Sequence, residues 1–474
     1  MSRTAPAATA EVAEGAGRRG RSHALLLTAL IVAVIAFQLG ASMVTPALPE
    51  IAREFDVSAS RVAGAQDLFF LVGGVAGVVL GRLSDRVGRR RILLAAMVTM
   101  CLGALIAALA PSVPVLIAGR ILQGASGATF PVTYMLLRDT MSPARFGPAL
   151  GLVTAINGGV GGLDGLVGGI VADTVGFRWI FGAILVVGLA AIVLVLRFLP
   201  ETAPKDGRRM DWWGAAALSA ALVCVNLALS KGSAHGWSAP LPLALLLAAL
   251  TLLIVFWQLE KRRTAPLIAV EHLRSRQVWP LLATTLLTLI GVFSAINFTF
   301  VLLSQDGEFG YGMSATLSSL LYLTPPAAIG LLSAPLTGWL APRKGWLVLL
   351  RTGLGLSLLI LLGTALLPDN RWLLFAAACA LGIAYNGLAM TPLNALGVVV
   401  SPKDAPGAVP GINAACFGIG SSVGIALVAP AAGSGTLGGI EQALWISAGF
   451  TFLALLAACV LRLPASEGGD EAQA

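Results

Sequence analysis

At 474 residues, 57% hydrophobic and only 11% charged, with a mean hydropathy of +0.87, the chain has too little polar surface to cover a water-soluble globule. Its net charge of +8 falls in short basic clusters between apolar runs and not in one stripe, which argues against a nucleic-acid partner. Five cysteines (Cys101, Cys224, Cys379, Cys416, Cys459) sit inside apolar segments without C-x-x-C spacing, and the three histidines are scattered, so neither a disulfide framework nor a metal site is expected.

In chain order, residues 1–22 are polar and rich in Ala, Gly and Arg, and read as a disordered cytoplasmic tail before an uncleaved first helix. Apolar runs bounded by charge, Pro or Gly then predict helices near 24–48, 61–81, 92–110, 114–137, 148–171 and 178–199. Two more follow near 212–231 and 239–259, and six near 277–303, 313–340, 345–367, 371–398, 408–430 and 440–461. Runs of this length suit the roughly 30 Å of hydrocarbon in a bilayer. The expected fold is therefore an all-α polytopic membrane protein of fourteen transmembrane helices. It divides into an N-terminal six-helix bundle (23–200), a two-helix linker with charged cytoplasmic loops (201–276), a C-terminal six-helix bundle (277–463) and a cytoplasmic tail (464–474). Basic residues crowd alternate connections, while the opposite set holds Arg53, Arg61, Arg178, Lys231 and Arg371. By the positive-inside rule both termini are cytoplasmic.

Between the second and third helices lies Gly81-Arg82-Leu83-Ser84-Asp85-Arg86-Val87-Gly88-Arg89-Arg90-Arg91, a cluster of arginines around a single acid. A very short turn at the membrane surface is expected, with Gly81 and Gly88 letting the backbone turn tightly. Gly338-Trp339-Leu340-Ala341-Pro342-Arg343-Lys344-Gly345 occupies the corresponding place in the last six-helix block. Gly338, Arg343 and Gly345 align on Gly81, Arg86 and Gly88, and Pro342 replaces Asp85. Two bundles descended from one unit and facing each other across a midplane cavity would leave this trace.

Besides Arg351, which belongs to no motif, three charges fall inside apolar helices. Arg120 lies in Leu116-Ile117-Ala118-Gly119-Arg120-Ile121-Leu122-Gln123-Gly124 of the fourth helix; a guanidinium stays protonated, so at membrane depth it needs water, carbonyls or an acid. Asp164 lies in the glycine-dense fifth helix and Asp67 near the start of the second. A rise of about 1.5 Å per residue puts all three at similar depth, so a shared site is geometrically open. Burial and a neighbouring arginine push a carboxyl in opposite directions, and an acid between them can exchange protons near neutral pH. Asp164 is the leading proton carrier. Gly161, Gly165, Gly168 and Gly169 permit close helix contact and are expected to form a hinge.

The patterns G-x-L-x-D-R-x-G-R-R-R after the second helix and L-x-x-x-R-x-x-Q-G in the fourth resemble the major facilitator superfamily over roughly residues 22–465. The Ala47-Leu48-Pro49 element and the helix count resemble its fourteen-span drug:proton antiporter branch. The resemblance implies that Gly81, Asp85, Arg86, Gly88, Arg89 and Arg90 form a charge-paired gating loop and that Arg120 takes part in proton movement. It also implies a cavity lined by the first and fourth helices of each half. That nominates Gln38, Gln123, Phe130, Tyr134, Phe293, Asn297, Tyr385 and Asn386 as substrate contacts. The sequence departs from the pattern in two places: the fifth-helix G-P-x-x-G-G element has Asp164 and Gly165 where glycine and proline stand, and Gly40 occupies a usual aspartate position. The expected activity is proton-coupled export of a hydrophobic or amphiphilic drug-like compound by alternating access, with a proton-coupled importer of a small organic metabolite as the alternative and a membrane receptor or scaffold outside transport. No enzyme, ATP-driven pump or cofactor is expected. The partners are a small-molecule substrate, protons and the bilayer, with the chain a monomer in the cell membrane.

Overall fold

The computed structural model describes residues 7–44, 47–57, 59–201, 211–236, 238–262, 275–308, 310–313, 315–402 and 406–463. Helical runs follow one another along this length. They are α1 (Ala7–Ser42), α2 (Ala59–Val87), α3 (Arg89–Ala108), α4 (113–140), α5 (Pro143–Val175), α6 (Arg178–Phe198), α7 (Trp212–His235) and α8 (Pro240–Arg262), then α9 (Val278–Gln305), α10 (315–344), α11 (Trp346–Leu366), α12 (Arg371–Val399), α13 (Ala408–Ala432) and α14 (Leu437–Val460). A short helix, Leu48–Glu54, lies between α1 and α2. Among the described residues, 12 helices are long and apolar enough to cross a membrane. The other two runs are α4, which a 3₁₀ turn at Ala125–Ala128 divides, and α5, whose apolar stretch is Ala144–Ile156.

Helix–helix packing builds one apolar core from α1–α6, around Leu30, Val34, Val62, Leu93, Met97, Met100, Leu150 and Phe181, and Ala395 and Val398 of α12 reach into it from the other half. A second core, around Leu281, Phe300, Leu350, Leu354, Leu374, Leu393 and Leu444, belongs to α9–α14. The hairpin α7–α8 adds to neither. It packs where the two halves meet, with Ala215, Ala217 and Phe256 against Val78 of α2 and Ala408 and Ala415 of α13. Its outer face, including Leu243, Leu247, Leu250 and Ile254, is exposed and apolar, as a lipid-facing surface must be.

Three details differ from the sequence expectation. Helix α1 reaches back to Ala7, because the Ala and Glu of residues 7–14 favour helix despite the segment's polarity. Helix α2 does not stop at Gly81: it continues to Val87, so Asp85 and Arg86 stand on its last turns and the chain reverses at Gly88 alone (φ 106°). Helix α10 likewise runs to Lys344 and breaks at Gly345 (φ 82°). Side chains with a Cβ avoid that backbone region, which is why one glycine suffices at each corner. Arg351, near the start of α11, donates to the carbonyls of Ala458, Cys459 and Leu461 and so caps the end of α14.

Candidate functional site

Arg120 is 1% exposed. Burying an unsatisfied guanidinium would be prohibitive, and its partners come from three helices. Nη1 donates to the Gly40 carbonyl of α1 at 2.9 Å and to Gln123 Oε1 at 2.5 Å, while Nη2 donates to Gln66 Oε1 of α2. The cation also lies 4.3 Å from the centre of the Phe69 ring. Gln66 Nε2 in turn donates to the Ala41 carbonyl at 2.5 Å. The end of α1 is thus held to α2 and α4 by its own backbone carbonyls.

Two residues further along α1, Ser42 reaches α5. Asp164 is 3% exposed and its Oδ2 accepts from Ser42 Oγ at 2.5 Å. Gln38 Nε2 donates to the same Ser42 oxygen at 3.0 Å. The close approach depends on Gly168, one turn beyond Asp164: a Cβ there would lie 2.2 Å from the Met43 carbonyl. Three helices, α2, α4 and α5, therefore converge on the segment Gln38–Met43, with a cation on one side and a carboxyl on the other.

At the arginine-rich end, the halves join. Asp85, 1% exposed, accepts from the Gly407 N–H at the start of α13 at 2.8 Å and is flanked by Arg82 (3.3 Å) and Arg89 (3.5 Å). Arg89 donates to Asp139 and to the Met135 carbonyl, and Arg90 ties to Glu201 and the Leu196 carbonyl. Arg86 is half-buried on the adjacent turn. Across the seam, Arg138 donates to the Val398 carbonyl and Asn394 to Thr154 at 3.3 Å. A cavity of about 160 Å³ lies there, lined by Arg89, Met135, Arg138, Asp139, Val398, Pro402 and Pro406.

The expected substrate contacts fall into two groups. Gln123 is fully buried and committed to Arg120, Gln38 is committed to Ser42, and the Phe130 and Tyr134 rings lie tilted against each other within the first half at 5.9 Å. In the second half, Phe293, Asn297, Tyr385 and Asn386 all sit on π-helical turns, Leu289–Phe293, Ala295–Thr299 and Gly382–Met390. Such turns widen a helix locally and cluster at functional sites. Asn386 donates to the Pro326 carbonyl at 3.0 Å and Tyr385 is buried, whereas Asn297 is exposed and Phe293 half-exposed. The side chain of Asp67 and residues Gly161 and Gly165 of the expected hinge lie outside the described residues; α5 itself runs unbroken through that stretch, and Gly169 is half-exposed beside Gly168. Ser42 and Gln66 were not singled out from sequence. Gln66 had a signal, a polar amide inside an apolar run, but Ser42 looks like any small packing residue.

A polytopic all-helical chain of two helical halves, with buried charges among its helices and a seam at one end, is built as a solute transporter, not as an enzyme. A model of the Major Facilitator Superfamily matches residues 30–425, and the chain belongs to that family. It is 37% identical to the uridine/deoxyuridine transporter of Lactococcus lactis over 84% of this chain and 85% of that one. It is also 29% identical to the tetracenomycin C resistance and export protein of Streptomyces glaucescens, over 87% and 76%. The solved structure of the human organic anion transporter MFSD10 has the same fold, with a TM-score of 0.66 and 15% identity over 92% of this chain and 99% of that one.

Proposed function

We propose that this chain is a plasma-membrane transporter that takes up a small polar solute of nucleoside type together with protons, by alternating access, with Asp164 as the coupling acid. The observation that carries the coupling role is the Gln38–Ser42–Asp164 hydrogen-bond chain beside the buried Arg120, because ionisable groups at membrane depth are costly unless they serve transport. The solute class is supported by the similarity to a uridine/deoxyuridine transporter. Its chemistry suits Asn297, whose exposed amide spends one N–H on the Phe293 carbonyl at 3.1 Å and keeps its second N–H and its oxygen for the imide edge of a pyrimidine base, with Phe293 one turn away as an apolar face. An exposed amide at this depth belongs beside water, not lipid. With the arginine-rich end cytoplasmic, the joined seam is the outward-facing state. Protonation of Asp164 with solute bound would then let the halves rock, and proton loss to the cytoplasm would reset them.

The export reading favoured by the motifs is supported by the similarity to the tetracenomycin C resistance and export protein. Proteoliposomes with an imposed pH gradient separate the two. Labelled uridine is expected to accumulate on the side toward which protons move, and Asp164→Asn to abolish uphill accumulation while leaving downhill equilibration. Expulsion of an amphiphilic dye against proton flow, with uridine ignored, would establish export. Uphill transport by Asp164→Asn equal to the parent would remove Asp164 from the mechanism.

A further inference from the structure

We propose that Ser42 is a positioning residue for proton exchange at Asp164: its hydroxyl exchanges one hydrogen-bond acceptor for another as that carboxyl gains or loses its proton. The inference rests on Asp164 being the coupling acid. A serine hydroxyl has one hydrogen and two lone pairs. Around Ser42 Oγ stand a group that can only donate, Gln38 Nε2 at 3.0 Å, and two that can accept, the Gln38 carbonyl at 2.9 Å and Asp164 Oδ2 at 2.5 Å. The single hydrogen serves one acceptor at a time.

With Asp164 ionised, the hydrogen points to the carboxylate as a charge-assisted O–H···O⁻ bond. When a proton arrives on Oδ2 from water on the open side, the new carboxylic O–H donates to Ser42, and the serine hydrogen turns to the Gln38 carbonyl. Proton loss reverses both moves. No serine bond breaks and no further proton is stored. Each protonation state keeps its partners, which avoids the cost of a buried polar group left unsatisfied in either one. The distance is held by packing, since Gly168 lets Met43, just past the end of α1, lie directly on α5.

Other charged groups on the surrounding elements are few. Arg120 of α4 is held at Gly40, Gln66 and Gln123. Asp67 of α2 and Asp173 of α5 have side chains outside the described residues. Toward the far end from the seam, Glu50 receives the Phe177 N–H and Arg178 of α6 pairs with Glu54. Ser42 touches the Asp164 carboxyl directly.

The test is infrared spectroscopy of the full chain in lipid nanodiscs during a pH titration. The protonated-carboxyl band that vanishes in Asp164→Asn belongs to Asp164. In Ser42→Ala that band is expected at higher wavenumber, and its titration midpoint displaced upward by on the order of one pH unit, because the ionised form loses a donor. Ser42→Thr, which keeps the hydroxyl, should match the parent, and Ser42→Cys, a weak donor, should fall between. A folded Ser42→Ala or Ser42→Cys with unmoved band and midpoint would refute the role of Ser42 while leaving Asp164 as coupling acid. If Asp164→Asn removes no band, or retains uphill uridine transport, the coupling reading and this inference fall together.

Discussion

The two corners that follow α2 and α10 are copies of one design with different chemistry. Both helices run past the expected stop and reverse at a lone glycine of positive φ, Gly88 and Gly345. Both carry a second glycine seven residues earlier that touches the opposite half: Gly81 lies against Gly407 and Gly338 against Gly147. The first corner adds a buried carboxylate, Asp85, which accepts from the Gly407 backbone and holds Arg82 and Arg89. The second has Pro342 in that place and joins by steric fit, with a Cβ on Gly338 falling 2.0 Å from the Gly147 carbonyl oxygen. The first joint therefore depends on charge and the second on shape.

Asp85→Ala should break this contrast most severely. It takes the acceptor from Gly407 N–H and leaves two buried arginines without their shared carboxylate, destabilising the joined arrangement by about 3–5 kcal/mol. On a cysteine-free background, a cysteine introduced at the buried Val398 should then react faster with a water-soluble maleimide. Unchanged reactivity would mean that Asp85 does not hold the seam. Gly338→Ala should follow at about 1–3 kcal/mol, the cost of overpacking a close helix contact. Its effect should be insensitive to salt and pH, unlike that of Asp85. The smallest changes are expected at the corners themselves. Gly88→Ala and Gly345→Ala should each lose about 1–2 kcal/mol, because each places a Cβ on a backbone of positive φ. Thermal unfolding in detergent should show similar decrements for both, and a silent Gly345→Ala would show that the corners are not equivalent.

Much of the site was legible because charge is expensive in lipid. Arg120, Asp164 and Asp85 stand out from their apolar surroundings, and the repeated glycine spacing marked the two corners before any contact was known. Their partners were not legible. Arg120 meets carbonyls and amides of α1, α2 and α4, as its chemistry allows but its sequence does not specify. Gln38 and Gln123 looked available to a solute, yet packing commits each to a neighbouring side chain. The π-helical turns beneath Phe293, Asn297, Tyr385 and Asn386 left no mark, since an extra residue per turn changes hydrogen-bond register without changing composition.

What the amino-acid order determined here is the ledger of costs: which helices are apolar enough for a bilayer, where the chain may turn, and which groups cannot be buried alone. Tertiary packing decided who answers each of those costs. Ser42 faces Asp164 across a sequence separation of 122 residues, and Gly407 faces Asp85 across 322. Such pairings are set by how close glycine lets two helices come, a property of surfaces in contact and not of either segment by itself.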